Sequence, residues 1–121
     1  MHGASMQPTY ESGDVLIIKK WSTPQRGDVV TAYIEELDRT VLKRVLAIEG
    51  DHVKITQSSV YLNGQKIMDI EEMGAGEEKE FTVPAKHYFV LGDNFLVSVD
   101  SRDFGCVSKC NIQGIVICKV F

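Results

Sequence analysis

The chain has no apolar run approaching the ~18 residues of a membrane-crossing helix, and Met1-His2-Gly3-Ala4 passes straight into polar sequence, unlike a secretory leader. Cysteine is scarce. Cys106, Cys110 and Cys118 are too few for a disulfide scaffold and lack zinc-ligand spacing, and His2, His52 and His87 are scattered, so neither a metal nor a cofactor is expected. A local Cys106–Cys110 bridge stays open, the odd count leaves a thiol over, and the simplest reading makes the cysteines small buried residues near a C-terminal strand. Cysteine usage therefore leaves the compartment undecided. Positive charge is short as well: 13 Lys and Arg against 17 Asp and Glu give a formal net charge of −4, which argues against a nucleic-acid partner. Repeats, low-complexity tracts and helical periodicity are all lacking. What remains is ordinary: 121 residues, 44% hydrophobic and 25% charged, enough for one compact domain with a real core.

Short apolar runs punctuated by turn residues fill that space. Strands are expected at Val15–Lys19, Val29–Ile34, Thr40–Ile48, His52–Thr56, Ser59–Leu62, Gln65–Ile67, Phe81–Val83, Tyr88–Leu91 and, as a buried terminal strand, Ile112–Phe121. Asn63-Gly64 is a strong type I′ hairpin signal, because both central positions of that turn need positive φ. Trp21–Gly27, with Pro24 and Gly27, reads as a loop, Glu35–Arg39 as a polar hairpin connection, and acidic Asp69–Glu80 as surface loop. Gly92–Gly105 is a long polar connection. The fold class is mainly β: folded antiparallel sheets or a barrel-like core, one domain over 1–121, with a hairpin and loop at about 52–87 as a small subregion.

The stretch Thr40–Asp51 concentrates the chemistry. As a strand it puts Val41, Lys43, Val45 and Ala47 on one face and Leu42, Arg44, Leu46 and Ile48 on the other, each face apolar but for one cation. A strand of that pattern is expected to be buried on both sides. Arginine keeps its charge in any protein, so Arg44 must find a carboxylate or water. Lysine can lose its proton when buried, and a neutral amine is a general base. The alternative is that Lys43 snorkels to solvent along its stem.

Three further blocks bear on Lys43. Gly3-Ala4-Ser5-Met6-Gln7-Pro8-Thr9 holds a serine in backbone that Pro8 keeps from becoming helical at Gln7. Gly92–Gly105 carries Asp93, Asn94, Ser98, Asp100, Ser101, Arg102 and Asp103, and Gly-Asp steps recur at 13–14, 27–28, 50–51 and 92–93. In this order and spacing the blocks resemble the type I signal peptidase family over nearly the whole chain. Ser5-Met6-Gln7-Pro8-Thr9 is similar to its SMxPT box and Arg26-Gly27-Asp28-Val29-Val30 to its RGDVV box. Lys43-Arg44-Val45 through Gly50-Asp51 is similar to its lysine box. Gly92-Asp93-Asn94 with Ser98, Asp100, Ser101 and Arg102 is similar to GDNxxxSxDSR.

The resemblance implies a Ser–Lys serine endopeptidase that removes signal peptides after small residues at −1 and −3. Ser5 would be the nucleophile and Lys43 the general base, with Ser98 orienting the amine. Asp100 and Arg102 would form an ion pair bracing the loop, with Arg44 as further structural support, and the Ser5 N–H would be one oxyanion donor. The serine that supplies a second donor in some members is replaced here by Gly3; Glu49, Phe95 and Val97 are further departures. Met6, Val41 and Leu42 stand where they would line pockets for an extended peptide paired to an edge strand, or else belong to the core. The resemblance also implies preproteins as partners, an N-terminal membrane anchor absent from this chain, and a catalytic domain on the extracytoplasmic face of the cell membrane. The alternatives are a self-cleaving repressor domain, which would need an upstream Ala-Gly segment, a non-catalytic module of the same fold that binds or chaperones surface or pilus proteins, and a generic β interaction domain.

Overall fold

In the computed structural model the described residues are 6–11, 13–56, 58–69, 78–93 and 101–120, the Asp103 side chain excepted. They form ten strands in chain order: β1 Leu16–Lys19, β2 Val29–Ile34, β3 Arg39–Ala47, β4 His52–Ile55, β5 Ser59–Leu62, β6 Gln65–Asp69, β7 Lys79–Thr82, β8 His87–Leu91, β9 Val107–Ser108 and β10 Ile112–Lys119. The fold is thus mainly β. A six-stranded sheet runs β1-β10-β2-β3-β8-β9 and a four-stranded sheet runs β6-β5-β4-β7. Every pairing between strands is antiparallel.

Two apolar clusters form the core. One gathers Val30, Ala32 and Ile34 of β2, Val45 of β3, Tyr88 and Val90 of β8, and Val107 of β9. The other gathers Ala47, Val53, Ile55, Val60, Val83, Phe89 and Leu91, with the Phe81 and Phe89 rings tilted at 5.3 Å. Alternate residues of β8 thus serve both clusters, which is why its run Tyr88–Leu91 reads as continuously apolar. A register slip between Val45 and Ala47 against β8 moves Ala47 to the Phe89 cluster, as expected of a bulge. The β5–β6 turn has Asn63 at φ 51 and Gly64 at φ 85, the double positive φ its sequence demands.

Several expectations need correction. The C-terminal strand is not buried: β10 is exposed or half-buried except at Gly114, and Ile117 and Val120 stand in solvent with Val15, Ile17 and Ile18. It pairs with the edge strand β1, and among the described residues nothing buries its apolar side chains fully. Cys110 and Cys118 are exposed, Cys106 is half-buried, and all three are free, so there is no Cys106–Cys110 bridge. The β3 strand is buried on the Lys43–Val45–Ala47 face and only half-buried on the Leu42–Arg44–Leu46 face. Glu35–Leu37 is a turn of 3-10 helix, and the expected connection 92–105 contains the single helical turn α1, Ser101–Phe104. One turn is too short to show helical periodicity in sequence.

Candidate active site

Lys43 lies midway along β3, paired across to Val30 of β2, and keeps only 3% of its surface exposed. At that exposure Lys43 does not snorkel to solvent, and its strand partner Val30 belongs to the first apolar cluster. The adjacent Arg44 points to the other face, as strand alternation requires. There its Nε and Nη2 grip the two Asp93 carboxylate oxygens at 2.8 and 2.7 Å, and its Nη1 donates to the Gly27 carbonyl at 2.8 Å. The requirement that Arg44 find a carboxylate is met by a bidentate pair.

Asp93 does more than neutralise Arg44. It also accepts from the Thr9 hydroxyl at 2.6 Å, and its own N–H donates to the Met6 sulfur at 3.4 Å. The turn 6–9, closed by Tyr10 N–H to Met6 carbonyl at 3.0 Å, is thereby fastened to the end of β8 and through Arg44 to β3. Burial works to raise the Asp93 carboxyl, but the bonds from Arg44 and Thr9 outweigh it and hold it below the usual carboxylate range. The charge on Arg44 is correspondingly reinforced by Asp93.

Behind β3, Asp28 accepts from Gln25 N–H at 2.8 Å while its carbonyl accepts Val45 N–H, also at 2.8 Å, and Gly27 N–H donates to the Val45 carbonyl at 2.9 Å. Asp51 sits where β3 hands over to the four-stranded sheet. Its carboxylate accepts from Arg26 Nε at 2.8 Å, from Arg26 Nη2, from Ile48 N–H at 2.9 Å and from Asn63 Nδ2 at 3.1 Å. The Arg26 guanidinium above all, helped by the Ile48 and Asn63 donors, holds this carboxyl well below the usual range against the opposing effect of burial. On the far side of β8, the buried Ser101 hydroxyl accepts Val90 N–H at 2.9 Å, and Lys79 Nζ donates to the Arg102 carbonyl at 2.8 Å.

Of the residues expected from sequence, Lys43, Arg44, Met6, Val41, Leu42 and Arg102 are described, while Ser5, Ser98 and Asp100 lie outside the described residues. Met6 is fully buried. Val41 packs against the Val30–Val45 cluster, and Leu42 is half-buried on the Arg44 face. Sequence reasoning missed the linking roles of Asp93, Thr9, Asp51 and Ser101. The demand of Arg44 for a carboxylate was the one signal that could have singled out Asp93.

Comparison with known proteins bears directly on this arrangement. The family model described as "Signal peptidase, peptidase S26" matches residues 1–121. The chain is 31% identical to signal peptidase I V of Bacillus subtilis over 96% of its own length and 80% of that protein. It is 35% identical to signal peptidase I of Bacillus caldolyticus, covering 94% and 73% of the two chains. A mitochondrial ATP-independent inner membrane protease subunit 1b of Arabidopsis thaliana is likewise 35% identical, covering 99% and 67%. Among solved structures, a signal peptidase I from Enterococcus faecalis V583 superposes with TM-score 0.66 at 26% identity, covering 79% of this chain and 98% of that one. Among the described residues no helix is long and apolar enough to cross a membrane. The chain belongs to the signal peptidase family, a family of membrane-associated serine proteases that remove signal peptides.

Proposed function

We propose that the protein is a Ser–Lys endopeptidase that cuts signal peptides from preproteins after small residues at −1 and −3, with Ser5 as nucleophile and Lys43 as general base. The observation that supports this reading is the near-complete burial of Lys43 on β3, across from Val30 and next to an arginine that has its own carboxylate. Burial disfavours the ammonium form of a lysine. A neutral amine takes the proton from the serine hydroxyl as the hydroxyl oxygen attacks the scissile carbonyl, and returns it to the leaving amine when the tetrahedral intermediate collapses. Water then repeats the attack on the acyl-enzyme with the same base. The Ser5 N–H would stabilise the oxyanion, Ser98 would orient the amine, and an Asp100–Arg102 pair would brace the loop.

Binding would follow β-augmentation, an extended peptide pairing with exposed strand backbone while alternate side chains enter shallow pockets. Leu42 and Val41, only half-buried, remain candidates for pocket walls; the full burial of Met6 favours a supporting role. The reading takes 1–121 as one catalytic domain with 52–87 as a subregion, held at the extracytoplasmic face of the membrane by an anchor. Incubation of the full-length protein with a purified preprotein, with products weighed by mass spectrometry, tests it. One cut after a small residue at −1 is expected; binding without cleavage would instead make the protein a non-catalytic module for surface proteins.

A further inference from the structure

The six-stranded sheet ends at β1, which pairs with β10 on one side and has no strand on its other side among the described residues. The large apolar side chains left in solvent gather there: Val15, Ile17, Ile18 and Trp21 stand beside Ile117 and Val120. The β1–β10 ladder slips once, but Ile17 faces Cys118 while Ile18 faces Val116, so the extra residue is Ile117 and the bulge belongs to β10. The strand at the edge is itself regular. Its Val15 carbonyl accepts Val120 N–H at 2.7 Å, and alternation from that bond turns the N–H and C=O of Leu16 and Ile18 outward, away from β10.

Outward backbone groups on an apolar strand are a template for another strand, and natural edges are commonly blunted by a bulge or a charge within them. Here the bulge lies on β10, and the exposed Lys19 and Lys20 stand at the far end of β1. The near end is acidic, with exposed Glu11 and half-buried Asp14, the latter 3.9 Å from Lys119. A strand acidic at its start and basic at its end complements itself when two copies run antiparallel. A bilayer is the poorer occupant, because hydrocarbon gives outward N–H and C=O groups no partner. We propose that β1 pairs antiparallel with β1 of a second copy of this chain, about a two-fold axis at Ile17. The outward groups fix that register. Leu16 of one copy exchanges both backbone bonds with Ile18 of the other, Ile17 meets its own counterpart, and Lys20 falls opposite Asp14. The two sheets become one continuous sheet, and the isoleucines of each edge gain apolar neighbours from the other. Nothing in this pairing depends on the Ser–Lys reading.

Ile17 tests the register, because a residue on the axis faces itself in a non-hydrogen-bonded pair with Cα atoms about 4.5 Å apart, within disulfide range. Trp21 is fully exposed but lies beyond the end of β1, roughly 25 Å from its counterpart in this pairing. In the full-length protein carrying Cys110→Ser and Cys118→Ser, the variants Ile17→Cys and Trp21→Cys are oxidised with copper phenanthroline and the dimer is read on a non-reducing gel, with thermal unfolding recorded for each. The expected result is crosslinking about ten-fold faster in Ile17→Cys than in Trp21→Cys, slowed when Lys20→Glu is added. Sedimentation velocity gives a second reading without cysteines. Ile18→Pro deletes an outward N–H while sparing the bonds to β10, so it should sediment as a monomer at a concentration where the wild type is dimeric, with its unfolding midpoint little changed. Crosslinking at Ile17 no faster than at Trp21, an undiminished rate with Lys20→Glu, or a wild type that sediments as a monomer overturns the proposal. A blue shift of Trp21 emission on phosphatidylglycerol vesicles, with the protein monomeric, would overturn it in favour of a lipid surface.

Discussion

Lys43 and Arg44 are sequence neighbours with opposite solutions to the same difficulty, a cation on a strand with apolar faces. Arg44 keeps its charge and takes Asp93 as a bidentate partner at the less buried face. Lys43 is itself buried, on the face it shares with Val45 and Ala47. The division was legible in sequence because alternation assigns the faces and the two side chains differ in what they can surrender. The identity of the partner was not, since Asp93 is 49 residues away and nothing local ties it to Arg44. The pair makes a definite prediction. Arg44→Met leaves the Asp93 carboxylate, 17% exposed, with Thr9 but without its cation, and should destabilise the fold by about 1–3 kcal/mol at pH 7, nearer the lower figure because Arg44 is itself partly exposed. The Asp93 carboxyl is depressed in the folded state, so its contribution is present above the ordinary carboxylate range near 3.9 and lost as pH falls through its folded value. The penalty of Arg44→Met should therefore shrink below about pH 4. Urea denaturation at pH 7 and pH 3 checks it; the same penalty at both would mean that lost packing, not the charge pair, carries the effect.

At the scale of elements, the strands were readable where alternation and turn chemistry agreed. Val29–Ile34 and Ser59–Leu62 fall where they were expected, and Asn63-Gly64 makes its turn. Reading failed where burial is decided by what lies above a strand. Nothing in IQGIVICKVF distinguishes a strand inside two layers from one beside an open edge, and β10 proved to be the latter. Two glycines test the element scale. Gly64→Ala places a Cβ at φ +85 with nothing within 4 Å, so only backbone strain acts, and about 1–2 kcal/mol should be lost. Gly114→Ala acts by contact: its Cβ would overlap Ile18 Cγ2 and stand 3.1 Å from the Lys19 carbonyl, so β1 must shift away from β10. Amide exchange should quicken across the β1–β10 ladder in Gly114→Ala and stay unchanged there in Gly64→Ala. Unchanged exchange in both would mean that β1 accommodates the methyl.

Across the whole molecule, Asp51 joins the two sheets. Its carboxylate gathers Arg26 from the loop before β2, Ile48 from the end of β3 and Asn63 from the β5–β6 turn, while Val83 N–H donates to its carbonyl at 2.8 Å. The recurrence of Gly-Asp steps was visible in sequence, but each alone reads as a turn, and only the assembled sheets show this one as a junction. Asp51→Asn should cost about 1–3 kcal/mol at pH 7. Because the folded carboxyl is held far below its unfolded value, that cost should fade as pH drops below about 4, and denaturation midpoints of the two proteins should converge there. A gap that stays constant with pH would place the role of Asp51 in its geometry alone.

The central claim is that Ser5 and Lys43 act as one unit within this frame, and the most direct measurement is single-turnover cleavage of one peptide substrate by the full-length wild type, Ser5→Ala, Lys43→Met and the double variant, each shown to be folded. The account predicts that either single change reduces cleavage to background and that the double change is no worse, since removing either member already disables the pair. Cleavage by Lys43→Met well above that of Ser5→Ala, or a further loss in the double variant, would contradict it.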